Sequence, residues 1–174
     1  MSIQVYKNLA SLNELPAEKA EAAFLDCCGS HAWASAMTEV RPFKMLEDLF
    51  ETAEKKWFAL PPADWLEAYA AHPKIGSKKA AASQKAQAAT WSEGEQSRVG
   101  DADANTRAEL AHCNRLYEEK FGFIFIVCAT GKSADEMLAI AKARLGNSVE
   151  TELKLAAIEQ YKITEIRLNK LLEQ

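Results

Sequence analysis

The sequence predicts an all-α protein of one domain, residues 1–174, and three observations predict it. Apolar residues recur three and four apart through most of the 174 positions, the period of a helix that buries one face. Proline, glycine and capping residues interrupt these runs about once per helix length. A single segment has strand-like composition, and a lone strand finds no partner to pair with. A hydrophobic content of 48% in a chain of this length builds a core without staples.

The elements follow in order. Ser11 and Glu14 have capping-box spacing, and Pro16 suits the start of the next helix. There Ala20, Phe24, Cys27 and Cys28 recur at helical spacing until Gly29 stops the run. A short segment from His31 to Met37 ends before the Arg41-Pro42 step. Leu46, Leu49, Phe50, Ala53 and Trp57 then make the cleanest amphipathic stripe, broken by Pro61-Pro62. A helix from about Ala63 to Ala71 runs into His72-Pro73-Lys74-Ile75-Gly76, where proline forbids regular continuation. Residues 77–90, rich in Ser, Lys, Ala and Gln, read as a solvated connection, and Ser92 to Val99 as a further helix.

From about Ala102 to Lys120 the helix is expected to bury Thr106, Leu110, Cys113 and Tyr117. Ser133 and Glu136 form a capping-box pattern before Met137, Ile140, Ala141 and Leu145, and Gly146-Asn147 close that helix. Ser148 to Leu172 carries apolar residues nearly all round, which predicts burial on several sides. The exception is Phe121 to Cys128. Its composition is that of a strand, but without a partner it is expected to be a buried extended stretch whose backbone needs other partners, a polar ligand among them.

A formal net charge of −4 excludes nucleic acid as the main partner, and leaves room for a local cationic pocket. The first twenty residues lack the basic end and apolar run of a secretion signal, and no apolar stretch reaches bilayer length. Cys27, Cys28, Cys113 and Cys128 show no disulfide framework, so reduced, packed thiols in the cytoplasm are expected. The terminal Leu171-Leu172-Glu173-Gln174 is not a peroxisomal signal.

Several patterns resemble chemistry and have a plainer counterpart. Ala129-Thr130-Gly131-Lys132-Ser133 looks like the tail of a phosphate loop, but Ile126 occupies the place of the required earlier glycine. A glycine turn before a capped helix fits better. Cys27, Cys28 and His31 lack a fourth ligand for a closed metal site, and no metal is expected there. His112 lies off the apolar stripe, and His31 follows Gly29-Ser30 at a helix start, so surface or capping roles suffice. His72 differs, because it ends a helix before a proline, fixed in direction and not covered by a next turn. Ser92, Glu95 and Gln96 share one helix face, although Ser-x-x-Glu is also a capping box. Trp33, Trp57, Trp65 and Trp91 suit core or pocket wall.

Taken in order, a series of motifs is specific. Trp65-Leu66-Glu67-Ala68 leads to Ala71-His72-Pro73-Lys74-Ile75-Gly76, then Ser92-x-x-Glu95-Gln96-Ser97, then Leu116 to Lys120 before Phe121-Gly122-Phe123-Ile124-Phe125. Arg144-Leu145-Gly146-Asn147 and Glu159-Gln160-Tyr161-Lys162-Ile163-Thr164-Glu165-Ile166-Arg167-Leu168 complete it. From about residue 8 to the C-terminus this resembles the 2-oxo-4-hydroxy-4-carboxy-5-ureidoimidazoline (OHCU) decarboxylases. The resemblance implies that family's all-helical fold, a homodimer, a small ureide substrate, and decarboxylation of OHCU to (S)-allantoin in urate breakdown without cofactor or metal.

Residue by residue, the resemblance makes His72 and Glu95 catalytic and puts Pro73 at the pocket wall. Substrate contacts fall to Ser92, Glu93, Gly94 and Gln96, and to backbone of Phe125, Ile126, Val127, Cys128 and Ala129. Many members carry an arginine at the place of Thr130; here the nearest cation is Lys132, as in plant-like variants. Plant relatives also fuse a transthyretin-like domain, which this chain is expected to lack. The rival expectations are a non-catalytic helical interaction protein that keeps the fold, and a nucleotide binder, which Ile126 disfavours.

Overall fold

Nine α-helices form the regular structure among residues 3–75, 86–95 and 102–173, the part of the chain that this computed structural model describes, and no strand occurs there. The all-α prediction holds. The chain divides into two compact units, one made of Met1–Ala68 with Tyr161–Gln174 and the other of Tyr69–Gln160.

In the first unit α1 spans Ile3–Glu14, so Ser11 and Glu14 sit in its last turn and do not form the expected N-terminal box. That end is closed instead by Arg41, whose Nη1 donates to the carbonyls of Leu12 and Leu15 at 2.8 Å each. Helix α2 (Ala17–Cys28) starts after Pro16 and stops at Gly29, where φ of 86° needs a residue without Cβ. Ser30 then caps α3 (His31–Glu39) by accepting from the Trp33 N–H. In α4 (Leu46–Phe58) the predicted stripe is buried at Leu49, Ala53 and Trp57, and α5 follows at Pro62–Ala70.

Aromatic side chains fill this unit. Phe24 meets Trp33 edge-on at 5.9 Å, the Trp33 indole N–H donates to the Ala53 carbonyl, and Trp65 does the same to Trp57. All four cysteines are free and buried; burial pushes the Cys28 thiol up to about 12, against the lowering effect of its hydrogen bond with Thr164. His31 is exposed and pairs with Glu67, a surface role as expected.

In the second unit α7 (Ala104–Phe121) is capped by Asp103, whose carboxylate accepts from the N–H groups of Asn105 and Thr106. Thr106, Leu110, Cys113 and Tyr117 are buried as their spacing predicts. Helix α8 (Ala134–Arg144) carries the predicted reciprocal box of Ser133 and Glu136. The two are joined along their length, by Thr106 to Asp135 and by Lys142 to Glu109, while Lys120 donates to the carbonyls of Leu145 and Asn147 past the α8 end.

One further expectation needs correction. The helix placed at Ser92–Val99 is α6 at Ala86–Glu95, because Ala86, Ala88 and Ala89 are strong helix formers and carry the helix into the supposed connection. The remainder of that connection, residues 77–85, and the expected helical residues 96–99 lie outside the described residues. Helix α9 (Val149–Leu172) is exposed along one stripe, through Glu150, Lys154, Ile158, Lys162, Glu165 and Asn169, and is buried or half-buried round most of the rest of its circumference, as its apolar pattern predicts. Its buried face holds Glu152, Ala156, Gln160, Ile163, Arg167 and Leu168.

Candidate active site

Every described residue singled out for substrate chemistry belongs to the second unit, and α7 is the platform on which two of the segments meet. His72 lies in the turn after α5, half-buried with its Nε2 covered, and its own N–H donates to the Tyr69 carbonyl at 3.1 Å. Proline at 73 removes the next donor and stops the helix there. Pro73 is half-buried. The following residues are tied to α7: Lys74 pairs with Glu118, and Asn114 Nδ2 donates to the Ile75 carbonyl at 3.0 Å.

The strand-like segment is held on the same helix. Residues 124–129 are irregular, neither helix nor paired strand, and Phe125 to Ala129 are 2–6% exposed. The Tyr117 ring touches Phe121, Phe123 and Phe125, the last at 5.2 Å, so one α7 side chain anchors the run. Lys74, Ile75, Asn114, Glu118, Ile124 and Phe125 line a common depression, which puts the His-Pro motif's continuation beside the Phe125 stretch.

Helix α6 supplies the third segment. Ala88, Trp91 and Ser92 are buried, so Ser92 is turned inward, with half-buried Glu95 one turn further on. The α6 boundaries also settle the capping alternative: Ser92 is the seventh residue of the helix and not its N-cap. Glu93 and Gly94 face solvent, and a Cβ at Gly94 would meet nothing. Gln96 lies outside the described residues.

Charge converges on Cys128. Burial pushes its thiol upward; Lys132 and a hydrogen bond with the Thr130 backbone pull it down, and Glu159 and Glu95 push it up again. Glu95 and Lys132, far apart in sequence, therefore act on one point of the 125–129 stretch. A neutral, buried thiol at that point is a wall and not a nucleophile. Lys132, half-buried, donates from Nζ to the Cys128 carbonyl at 2.7 Å, across the turn that Gly131 makes with φ of 82°. Thr130 is exposed. The turn before a capped helix is thus what residues 129–133 form.

Spacing alone does not assign the groups that answer the rest of this backbone, although Arg144 and Glu159 both stand in the family-like motifs. The Ile126 carbonyl accepts from Arg144 Nη1 at 2.7 Å, and the Cys128 N–H donates to Glu159 Oε2 at 2.8 Å. Arg144 is itself buried against Glu152 and the Tyr117 hydroxyl, with its guanidinium 5.0 Å from the Phe125 ring centre. Asn147 donates to the other Glu152 oxygen. The available signal was an arginine on an apolar stripe, since Met137, Ala141 and Arg144 are buried at helical spacing. Among the described residues no group of three or more His, Cys, Asp or Glu converges as a metal site would, and no helix is long and apolar enough to cross a membrane.

Comparison with known proteins identifies the family. The model of the OHCU decarboxylase family matches residues 13–169, running through both units. The chain is 44% identical over 147 residues to the uric acid degradation bifunctional protein TTL of Arabidopsis thaliana, covering 83% of this chain and 45% of that protein, so it spans about half of that relative's length. It is 30% identical to the OHCU decarboxylase of Amia calva, covering 80% of this chain and 79% of that one. A crystal structure of an OHCU decarboxylase in the presence of (S)-allantoin superposes with a TM-score of 0.75 at 39% identity, over 87% of this chain and 97% of the other. The chain belongs to the OHCU decarboxylase family.

Proposed function

We propose that this protein removes CO2 from OHCU and delivers (S)-allantoin, acting as the carboxy-lyase of urate breakdown through one domain and as a cytoplasmic homodimer. The observation that carries the activity is that Lys74 and Ile75, which directly follow the His72–Pro73 turn, line one depression on α7 together with Phe125, in a chain of this family.

The chemistry makes modest demands on the protein. In OHCU the departing carboxylate sits on C4, which also bears a hydroxyl and adjoins a C=N bond at C5. When the C4–carboxylate bond breaks, its electron pair forms C4=C5 and the imine pair moves to nitrogen, which takes a proton. Loss of the hydroxyl proton and protonation of C5 then give the carbonyl and the stereocentre. The substrate holds its own electron sink, so the chain must orient it, move protons and choose one face.

His72 is the proton-handling group, taking the C4 hydroxyl proton or delivering one to C5. Glu95 holds the imidazole tautomer or binds the ureido N–H groups, and Ser92, Gln96 and backbone near Val127 read the planar ureide. Lys132 faces the carboxylate that leaves. Pro73 and the apolar side chains of Phe125, Ile126 and Ala129 wall the pocket.

The test is His72→Ala assayed on freshly generated OHCU, followed by circular dichroism of the product. The stereospecific rate falls by a factor on the order of 10² or more. Near-full activity in that variant removes His72 from the mechanism.

A further inference from the structure

Two charged side chains reach the 125–129 stretch from α8 and α9, and nothing in the reaction just described uses either. Arg144 holds the Ile126 carbonyl, and Glu159 holds the Cys128 N–H. These groups belong to the two peptide planes that flank Val127. A trans peptide is planar, with its C=O and N–H pointing in opposite directions, and the described cis bond is elsewhere, at Arg41-Pro42. Fixing the Ile126 carbonyl toward Arg144 therefore turns the Val127 N–H away from it. Fixing the Cys128 N–H toward Glu159 turns the Val127 C=O away from Glu159.

Val127 is 4% exposed, and neither its N–H nor its C=O finds a hydrogen-bond partner among the described residues. Proteins seldom leave a buried backbone donor and acceptor unanswered. Their neighbours are firmly held: the Cys128 carbonyl takes the Lys132 ammonium, and Arg144 is fixed by Glu152, Tyr117 and the Phe125 ring. The signs of the two clamps also matter. A cation on the Ile126 carbonyl polarises that peptide and strengthens the Val127 N–H as a donor. An anion on the Cys128 N–H strengthens the Val127 carbonyl as an acceptor.

We infer that Arg144 and Glu159 are positioning residues that aim and polarise the Val127 N–H and C=O as a donor–acceptor pair for one –NH–CO– group of a ureide. The inference rests on the proposed decarboxylase reading and deepens it, by assigning the ureide contact to one residue and its alignment to two others.

The experiment follows the Val127 amide by NMR in isotope-labelled protein during titration with (S)-allantoin, alongside steady-state assays on OHCU, for wild type, Glu159→Ala and Glu159→Gln. In the wild type the Val127 amide resonance moves to saturation. Glu159→Ala weakens (S)-allantoin binding and raises KM on the order of tenfold, with a smaller change in kcat. Glu159→Gln keeps an acceptor for the Cys128 N–H and stays within about threefold of wild type. A merely structural Glu159 would lower the melting temperature of the alanine variant and leave KM and the Val127 response intact, which overturns the inference. So does a wild-type Val127 resonance that ignores saturating (S)-allantoin. If Glu159→Ala does not fold, Glu159→Asp, whose carboxylate stands one methylene short of the Cys128 N–H, takes its place with the same expected rise in KM and the same overturning result. A wild type that binds through Val127 yet turns over no OHCU sustains the inference and removes the activity reading.

Discussion

The two compact units bury different things. The first packs Phe24, Trp33, Met37, Leu49 and Trp57 between regular helices, and its indole N–H groups are answered by carbonyls of those helices. The second buries Glu152 and Arg144, and carries six residues, 124–129, outside any helix. Where backbone is in helices, side chains need only fill space. Where it leaves them, charged side chains must hold it, and a held backbone can be aimed. Damage to the second unit should therefore reach the chemistry, and damage confined to the first unit should not.

Variants can break that separation. The largest stability loss is expected in the second unit: Arg144→Met leaves Glu152 buried without its cation and costs about 3–5 kcal/mol, read from urea midpoints. Removal of that pair should also disturb stereocontrol, since the same guanidinium holds the Ile126 carbonyl. Leu49→Ala, in the first unit, costs about 3 kcal/mol by opening a cavity. Its folded fraction should keep the wild-type kcat and enantiomeric excess; a changed enantiomeric excess would show that the units do not divide the labour.

The smallest effect is at the start of α7. Asp103→Ala removes the cap and lowers Tm by ~2–4 °C at neutral pH. Hydrogen bonds from Thr106 first, then Asn105, hold the Asp103 carboxyl below its usual range. The wild type's advantage is therefore complete above the unfolded pKa of about 4, and is lost as pH falls through the lowered folded value. An advantage that instead grows on acidification contradicts the cap.

Much of this was legible in the sequence because it is local. The Ser133–Glu136 box, the 106–110–113–117 stripe and the helix stop at Gly29 each depend on residues within one or two turns. Of the strand-like run, residues 123–128 lie outside any helix and are largely buried as expected, since a strand without a partner has no ladder, while Phe121 instead closes α7 and Gly122 is exposed. What stayed hidden is non-local. Arg144 and Glu159 meet that stretch from 18 and 31 residues away, and no spacing rule says which side chain arrives at which carbonyl. The expectation that a ligand answers this backbone was thus too broad: the Ile126, Cys128 and Ala129 carbonyls and the Cys128 N–H are bonded within the protein, which narrows the ligand's share toward Val127. The early start of α6 is masked in the sequence by the polar residues that precede its alanines, although alanine is the strongest helix former.

The most direct test is the handedness of the product. Wild-type protein is added to freshly generated OHCU, and the allantoin formed is resolved by chiral chromatography against a protein-free control. (S)-Allantoin is expected in clear excess, at a rate well above the spontaneous one. Racemic allantoin at the control rate contradicts it.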